Sequence, residues 1–420
     1  MKFSIFAPHQ IFSVSKIKAL TPYRPAAGHE GEVTCLPFDV FYGSEVHEIV
    51  ARNPNSFLRV TRSESDFPLD AKPTQSEILE RAKENLDRLI HDGVLVKDNE
   101  PAFYVYRLEG NGCRQTGVIA GCSLDEYEAG KIKRHEKTQP DKVADRTQHI
   151  VHLRAQTGLI FLAFHGTARI HELLDEAVKG MPLYDLGGDN GIRHTVWKCT
   201  NTADWIEAFA EVPSIYIADG HHRLESALKA RDILRAANAN DATAEFDHVL
   251  AGLFPSEDLT ILAYNRAVAD LNGLSPAEFL ATLSERFNIE PTTDKVPARH
   301  GEIAMYTGGK WYKLTERVVA EEPSDPVDRL DVSILQNEIL SPVLGISDPR
   351  TDKRVEFVGG QRGVKELERL VEAGDAAVAF SLFATTMDDL LAVSDAGKIM
   401  PPKSTWFEPK LRDGFIVNPI

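Results

Sequence analysis

The stretch Ser214-Ile215-Tyr216-Ile217-Ala218-Asp219-Gly220-His221-His222-Arg223 decides how this chain is read. Its first half is apolar. Its second half is a polar hexad, and Leu224, Ala227, Leu228, Ile233 and Leu234 follow at helical spacing. The hexad therefore sits where a strand ends and a helix begins. A helix N-terminus presents backbone N–H groups and a partial positive charge, so it attracts anions. Gly220 lets the backbone turn and come close to a ligand. His221, His222 and Arg223 add donors suited to phosphate or carboxylate. The plainer alternative is that Asp219 caps the helix and the histidines are surface residues.

The 420-residue chain is too long for one ordinary core, which predicts two domains. Hydrophobic residues at 43% and charged residues at 26% fit a soluble globular protein. A formal net charge of −16 repels polyanions, so general nucleic-acid binding is disfavoured, whereas a local basic pocket for a small phosphorylated ligand is not. Cys35, Cys113, Cys122 and Cys199 are scattered and form no Cys-x-x-Cys pair, which argues for a reducing, cytoplasmic setting. The apolar run in Met1-Lys2-Phe3-Ser4-Ile5-Phe6-Ala7-Pro8 is short for a signal peptide, and no stretch reaches the length of a membrane span.

Outward from the hexad, the pattern predicts a helix over 45–52, a strand over 56–60 and a helix opened by a Thr74/Glu77 capping box and closed at Gly93. A hairpin joins 102–108 to 114–120 through Asn111-Gly112. Residues 124–156 read as helix broken near Pro140, and 158–164 as strand. The small, polar run 236–241 is the expected boundary, giving domains 1–240 and 241–420. Beyond it, 248–254 and 259–268 read as paired strands, 330–340 and 387–393 as helices, and 355–358 and 376–383 as strands. This alternation is α+β or mixed α/β.

A second constellation is Lys131-Ile132-Lys133-Arg134-His135-Glu136-Lys137-Thr138, followed by Asp141, Asp145, Arg146, His149 and His152. On a helix begun at Pro140, Asp141, Asp145, His149 and His152 share a face. Such groups suit proton transfer or metal-assisted phosphate chemistry, or else form a solvated charged helix. Gly359-Gly360-Gln361-Arg362-Gly363 could cradle a phosphate, but glycine turns between strand and helix also arise from geometry alone. Lys403, Ser404 and Thr405 after Pro401-Pro402 offer a cation and hydroxyls to an anion, or mark a C-terminal anchor around Trp406 and Phe407. Asp39 and Arg59 are weaker candidates that could reach a ligand or each other.

Pro37-Phe38-Asp39-Val40, Asn53-Pro54-Asn55-Ser56-Phe57-Leu58, Arg134-His135-Glu136-Lys137-Thr138, the hexad and Met400-Pro401-Pro402-Lys403-Ser404-Thr405 occur in this order. Together they resemble the bacterial domain-of-unknown-function 1015 family over essentially the whole chain, with Leu36 and Phe38 where many relatives carry proline and tyrosine. The hexad alone resembles, more distantly, the phosphate-binding turn of the ParB/sulfiredoxin-like superfamily, which includes nucleotide-dependent free-serine kinases. That resemblance implies a phosphate-binding strand–turn–helix in the first domain. Sulfiredoxin's catalytic cysteine has no counterpart here, which speaks against sulfinic-acid repair.

The leading expectation is phosphoryl transfer, in the kinase or phosphatase direction, on a small hydroxylated metabolite such as serine or phosphoserine. Gly220, His221, His222, Arg223 and Lys403 would hold phosphate. Glu136 or His135 would be the general base, and Asp219 would orient the substrate or hold Mg²⁺. Mg²⁺ and a nucleotide are the cofactors this admits, with no metal ligands assigned. The rival is a regulatory protein that binds a nucleotide or metabolite without turnover. A phosphoester hydrolase would need Asp141, Asp145 and His149 to face one pocket.

Overall fold

The computed structural model describes residues 16–41, 43–188, 191–237, 245–317, 323–360 and 362–420. The side chain of Asp39 and residues 238–241 of the expected boundary lie outside the described residues. The architecture is mixed α/β, in two compact units. The first comprises Met1–Lys133, Thr138–Asp258 and Pro409–Ile420; the second comprises Arg134–Lys137 and Leu259–Glu408.

Among the described residues the first unit holds a nine-stranded sheet. Its main order is Ile132–Lys133, Ile215–Asp219, Ile160–Phe164, His248–Pro255, Cys113–Ser123, Phe103–Gly110, Arg193–Cys199 and Tyr184–Gly187. His248–Pro255 runs parallel to Ile160–Phe164 and antiparallel to Cys113–Ser123. That corrects the expected pairing of 248–254 with 259–268. A strand buried along its length takes the partners that cover it, and an apolar run does not name them. The part of the first unit that carries this strand runs from Thr138 to Asp258.

The Asn111-Gly112 hairpin forms, with both residues at positive φ. The Thr74/Glu77 capping box opens the helix Gln75–His91. Residues 56–60 form no strand: Leu58–Thr61 is a short helix whose Leu58 and Val60 are fully buried. One face of the sheet packs the aromatic and aliphatic core around Phe103, Phe164, Trp205 and Leu224.

Among the described residues of the second unit a six-stranded antiparallel sheet runs Phe287–Pro291, Lys310–Glu316, Glu302–Thr307, Val378–Leu382, Asn265–Val268 and Val355–Val358. The helix Gly363–Glu372 packs Leu367 and Leu370 against it. The expected helix 330–340 divides into a helix Asp331–Leu335 and a π-helical turn Gln336–Leu340.

Candidate functional site

The strand Ile215–Asp219 lies antiparallel to Ile160–Phe164, with Ile217 opposite Leu162 and Asp219 opposite Phe161. The register shifts at Ala218, and such a bulge re-aims the residue that follows. Gly220 then adopts φ +98°, a conformation open to glycine and strained for other residues. The Leu224 N–H closes the first helical bond on the Gly220 carbonyl at 3.0 Å, so the helix His221–Ala237 starts immediately after the strand. First-turn N–H groups point out of that end, as in any helix.

Asp219 Oδ2 accepts from Lys410 Nζ at 2.7 Å. Burial pushes this carboxyl up. The Lys410 ammonium, the Arg223 guanidinium and His221 outweigh it and hold the pKa well below the usual carboxylate range. His221 is buried. His222 Nε2 accepts the Gln139 N–H at 2.9 Å, which puts the ring proton of the neutral imidazole on Nδ1. Gln139 immediately precedes the helix Pro140–Leu153, so His222 ties the starts of two helices together.

Arg223 Nη1 donates to the Leu159 carbonyl at 2.7 Å and lies 3.8 Å from Oδ1 of the buried Asp413. Gly158 makes room for this: a Cβ there would stand 2.9 Å from Asp413 Oδ1 and 3.1 Å from Arg223 Nη1. Arg223 also lines a cavity of about 40 Å³ with Phe38, Thr61, Arg146, His149, Gly158 and Asp413. That is room for roughly three waters or one small oxyanion group. The Arg146 guanidinium sits 4.5 Å over the Phe38 ring, and its Nε donates to Asp145 at 2.7 Å. His149 Nε2 donates to the Val60 carbonyl at 3.0 Å. Burial first, then Arg146, pushes its pKa down to about 4. The imidazole is therefore neutral near pH 7, and the cavity's positive charge comes from the two guanidinium groups.

The structure thus brings Arg146 and His149 of the second constellation together with Arg223 of the hexad and Phe38. It does not gather Asp141, Asp145 or His152 there. Asp141 is exposed, Asp145 accepts from Gln75 at 2.8 Å, and His152 lies 3.4 Å from Glu80. Among the described residues no group of three or more His, Cys, Asp or Glu side chains could hold a metal ion. Arg59 pairs with Asp66.

His135 and Glu136 belong to the second unit, and Asp219 through Arg223 to the first. His135 is 2% exposed, and its carbonyl accepts the Met400 N–H at 2.8 Å. This bond joins the segment around Glu136 to the tail that carries Lys403. Lys403 Nζ stands 5.6 Å over the Tyr264 ring. The glycine turn is explained by packing: a Cβ on Gly359 would reach 2.5 Å from the Trp406 ring, and one on Gly360 2.3 Å from Leu262.

Sequence reasoning missed Lys410 and Asp413, which the segment Pro409–Ile420 delivers to Asp219 and Arg223. The signal available was slight: charges alternating around Leu411 before the apolar run Phe415-Ile416-Val417.

A strand, a left-handed glycine and a helix with basic residues in its first turn stand beside a cavity lined by guanidinium groups. The chain belongs to the family described as Protein of unknown function (DUF1015), whose profile matches residues 17–333. No curated protein matches the sequence. Solved structures similar to it include a free serine kinase variant in complex with AMP, at 13% identity and TM-score 0.34, covering 69% of this chain and 87% of that one. A conserved hypothetical protein from Pyrococcus furiosus is similar at 14% identity and TM-score 0.33, covering 72% and 95%. C-terminally truncated SbnI from Staphylococcus aureus is similar at 12% identity and TM-score 0.37, covering 71% and 87%. No helix among the described residues is long and apolar enough to cross a membrane.

Proposed function

We propose that this protein binds the phosphate of a nucleotide or phosphorylated metabolite at the Gly220 turn. It would move a phosphoryl group onto or off a small hydroxylated metabolite, with serine and phosphoserine the first substrates to test. One observation carries this reading: Arg223, in the first turn of the helix, and Arg146 line a single cavity. Phosphoryl transfer asks chiefly for positioning and charge neutralisation, which such groups supply. Gly220, His221, His222, Arg223 and Lys403 are assigned to phosphate. His222 would contribute through Nδ1, because Nε2 is engaged by Gln139. In the kinase direction a donor P–O bond breaks, the substrate hydroxyl oxygen forms the new one, and its proton goes to Glu136 or, failing that, His135.

Asp219 would orient the substrate. Its carboxylate is already bonded to Lys410, so it is poorly suited to hold Mg²⁺ as well. An ion carried on the ligand's own phosphates fits this chain better than a protein-held one. The second reading is a binding protein without turnover. It needs the turn and the guanidinium-lined cavity of the first unit but no base, and that cavity is the feature that favours it.

Phosphorus NMR with ATP, ADP or pyrophosphate and a panel of hydroxy amino acids tests turnover, and calorimetry tests binding. Arg223→Ala should weaken phosphate-ligand binding by about 1.5–3 kcal/mol. Glu136→Gln should spare binding and slow transfer roughly 10²–10⁴-fold. Full turnover in Glu136→Gln rejects that base, and unchanged affinity in Arg223→Ala rejects the anion site.

A further inference from the structure

Asp413 lines the same cavity as Arg146 and Arg223, and no step described above uses it. Its side chain is buried. Its backbone is tied twice to Cys35: the Asp413 N–H donates to the Cys35 carbonyl at 2.9 Å, and the Asp413 carbonyl accepts the Cys35 N–H at 3.1 Å. Beside it, Arg412 Nη2 donates to the Thr34 carbonyl at 2.8 Å, and Phe415 is fully buried. So anchored, the carboxylate stays at the cavity wall when a ligand arrives.

The approach of Asp413 to Arg223, 3.8 Å from Oδ1 to Nη1, carries charge attraction without a direct hydrogen bond. Gly158 leaves the space beside both groups unfilled. Arg146 engages Asp145 through Nε and the Thr61 carbonyl through Nη1 at 3.3 Å, and among the described residues its Nη2 donates to no protein group. The cavity lining thus carries two guanidinium groups, one carboxylate and the neutral imidazole of His149. At the turn, Asp219 is offset by Lys410. Asp145 is half-exposed, so solvent screens it. One positive charge is left over inside. A singly charged ligand group balances it, whereas a doubly charged one leaves a surplus negative charge close to Asp413 in a confined site, which is costly.

We propose that Asp413 is a specificity-determining residue whose fixed negative charge makes the Arg146–Arg223 cavity select a singly charged oxyanion group over a doubly charged one. The class is a carboxylate or a diester-type phosphate, such as an inner phosphate of a nucleotide, and not a terminal phosphate monoester. This rests on the anion reading of the Arg223 cavity made above and adds which part of a ligand lies there.

The test is calorimetric titration of the full chain at pH 8 with three probes. Methyl phosphate carries two charges at that pH, and dimethyl phosphate and acetate carry one. In the parent, methyl phosphate should bind less than about fivefold tighter than the better of the two monoanions, because Asp413 repels it twice as strongly. In Asp413→Asn, methyl phosphate should gain about tenfold and that monoanion about threefold, since deleting one charge acts on each ligand in proportion to its own. Acetate as the sole monoanion bound identifies a carboxylate site, dimethyl phosphate as the sole one an inner-phosphate site, and binding of both the shared class. The proposal is overturned if the parent prefers methyl phosphate by more than that margin. It is equally overturned if Asp413→Asn changes the affinity for both kinds of probe by the same factor or weakens both, as loss of a mere tether for the C-terminal segment would. Should Asp413→Asn fail to fold, the preference of the parent decides alone. Binding that depends on Arg223 but shows the wrong charge preference removes this proposal and leaves the anion site standing. Binding that Arg223→Ala leaves unchanged, or no binding of any probe to the parent, removes both.

Discussion

His149 shows how a residue's meaning changes once its surroundings are known. In sequence it is one of several acidic and imidazole groups on a helix face. In the fold it turns inward to the Val60 carbonyl, is 5% exposed, and has its pKa pushed down to about 4 by burial and Arg146. An unfolded chain takes up this proton as the pH falls through about 6.5, whereas the folded chain resists until about 4. Stability therefore falls across that window, by up to about 3 kcal/mol from this group. His194, buried and pushed down to about 3, acts in the same sense to lower pH. His149→Gln keeps a donor for Val60 and removes the titration. Its urea midpoints at pH 7 and pH 4.5 should lie closer together than those of the parent. An equal drop in both proteins would show that His149 does not carry the effect. The sequence could not reveal this, because a helical repeat places residues on a face without saying what packs there.

At the scale of elements, local chemistry was a good guide wherever it was self-contained. The Thr74/Glu77 box, the Asn111-Gly112 hairpin and the strand–Gly220–helix junction each depend on a few contiguous residues. Residues 56–60 misled because a short apolar run fits a strand and a buried helical turn equally well. Gly220→Ala tests the junction. A Cβ would meet Ile160 at 3.4 Å, which is near ordinary contact, so the penalty is chiefly the φ of +98°. A loss of about 1–3 kcal/mol in urea-induced unfolding is expected, with weakened phosphate binding as the first turn reorients. Unaltered stability would mean that the backbone there relaxes at little cost.

At the scale of the whole molecule, the C-terminal segment Pro409–Ile420 closes the first unit although residues 259–408 form the second. It pairs Val417 with Tyr23, Asp413 with Cys35, and Asn418–Pro419 with Ala155–Gln156. Phe415, Ile416 and Val417 are buried. Burying three such side chains contributes roughly 5–9 kcal/mol, comparable with the whole stability of a typical domain. Removal of residues 409–420 should therefore unfold the first unit while sparing amide protection in the sheet around Val378–Leu382 of the second. Hydrogen exchange distinguishes the units, and retained protection in Ile160–Phe164 would count against this role for the segment.

The sequence by itself determined the strand, the glycine turn and the helix that follows, the capped helix, the hairpin and the family. Each rests on periodicity, turn chemistry or an ordered set of short motifs, all carried by residues adjacent in the chain. Only the tertiary structure decided that His248–Pro255 joins the first sheet, that Arg146 shares a cavity with Arg223, and that Lys410 and Asp413 reach the turn. Apolar alternation marks a strand as buried without choosing its neighbour, and a charge in an exposed-looking segment does not name its partner. Those choices are made when distant segments compete for the same buried surface, and no local stretch of chain contains that competition.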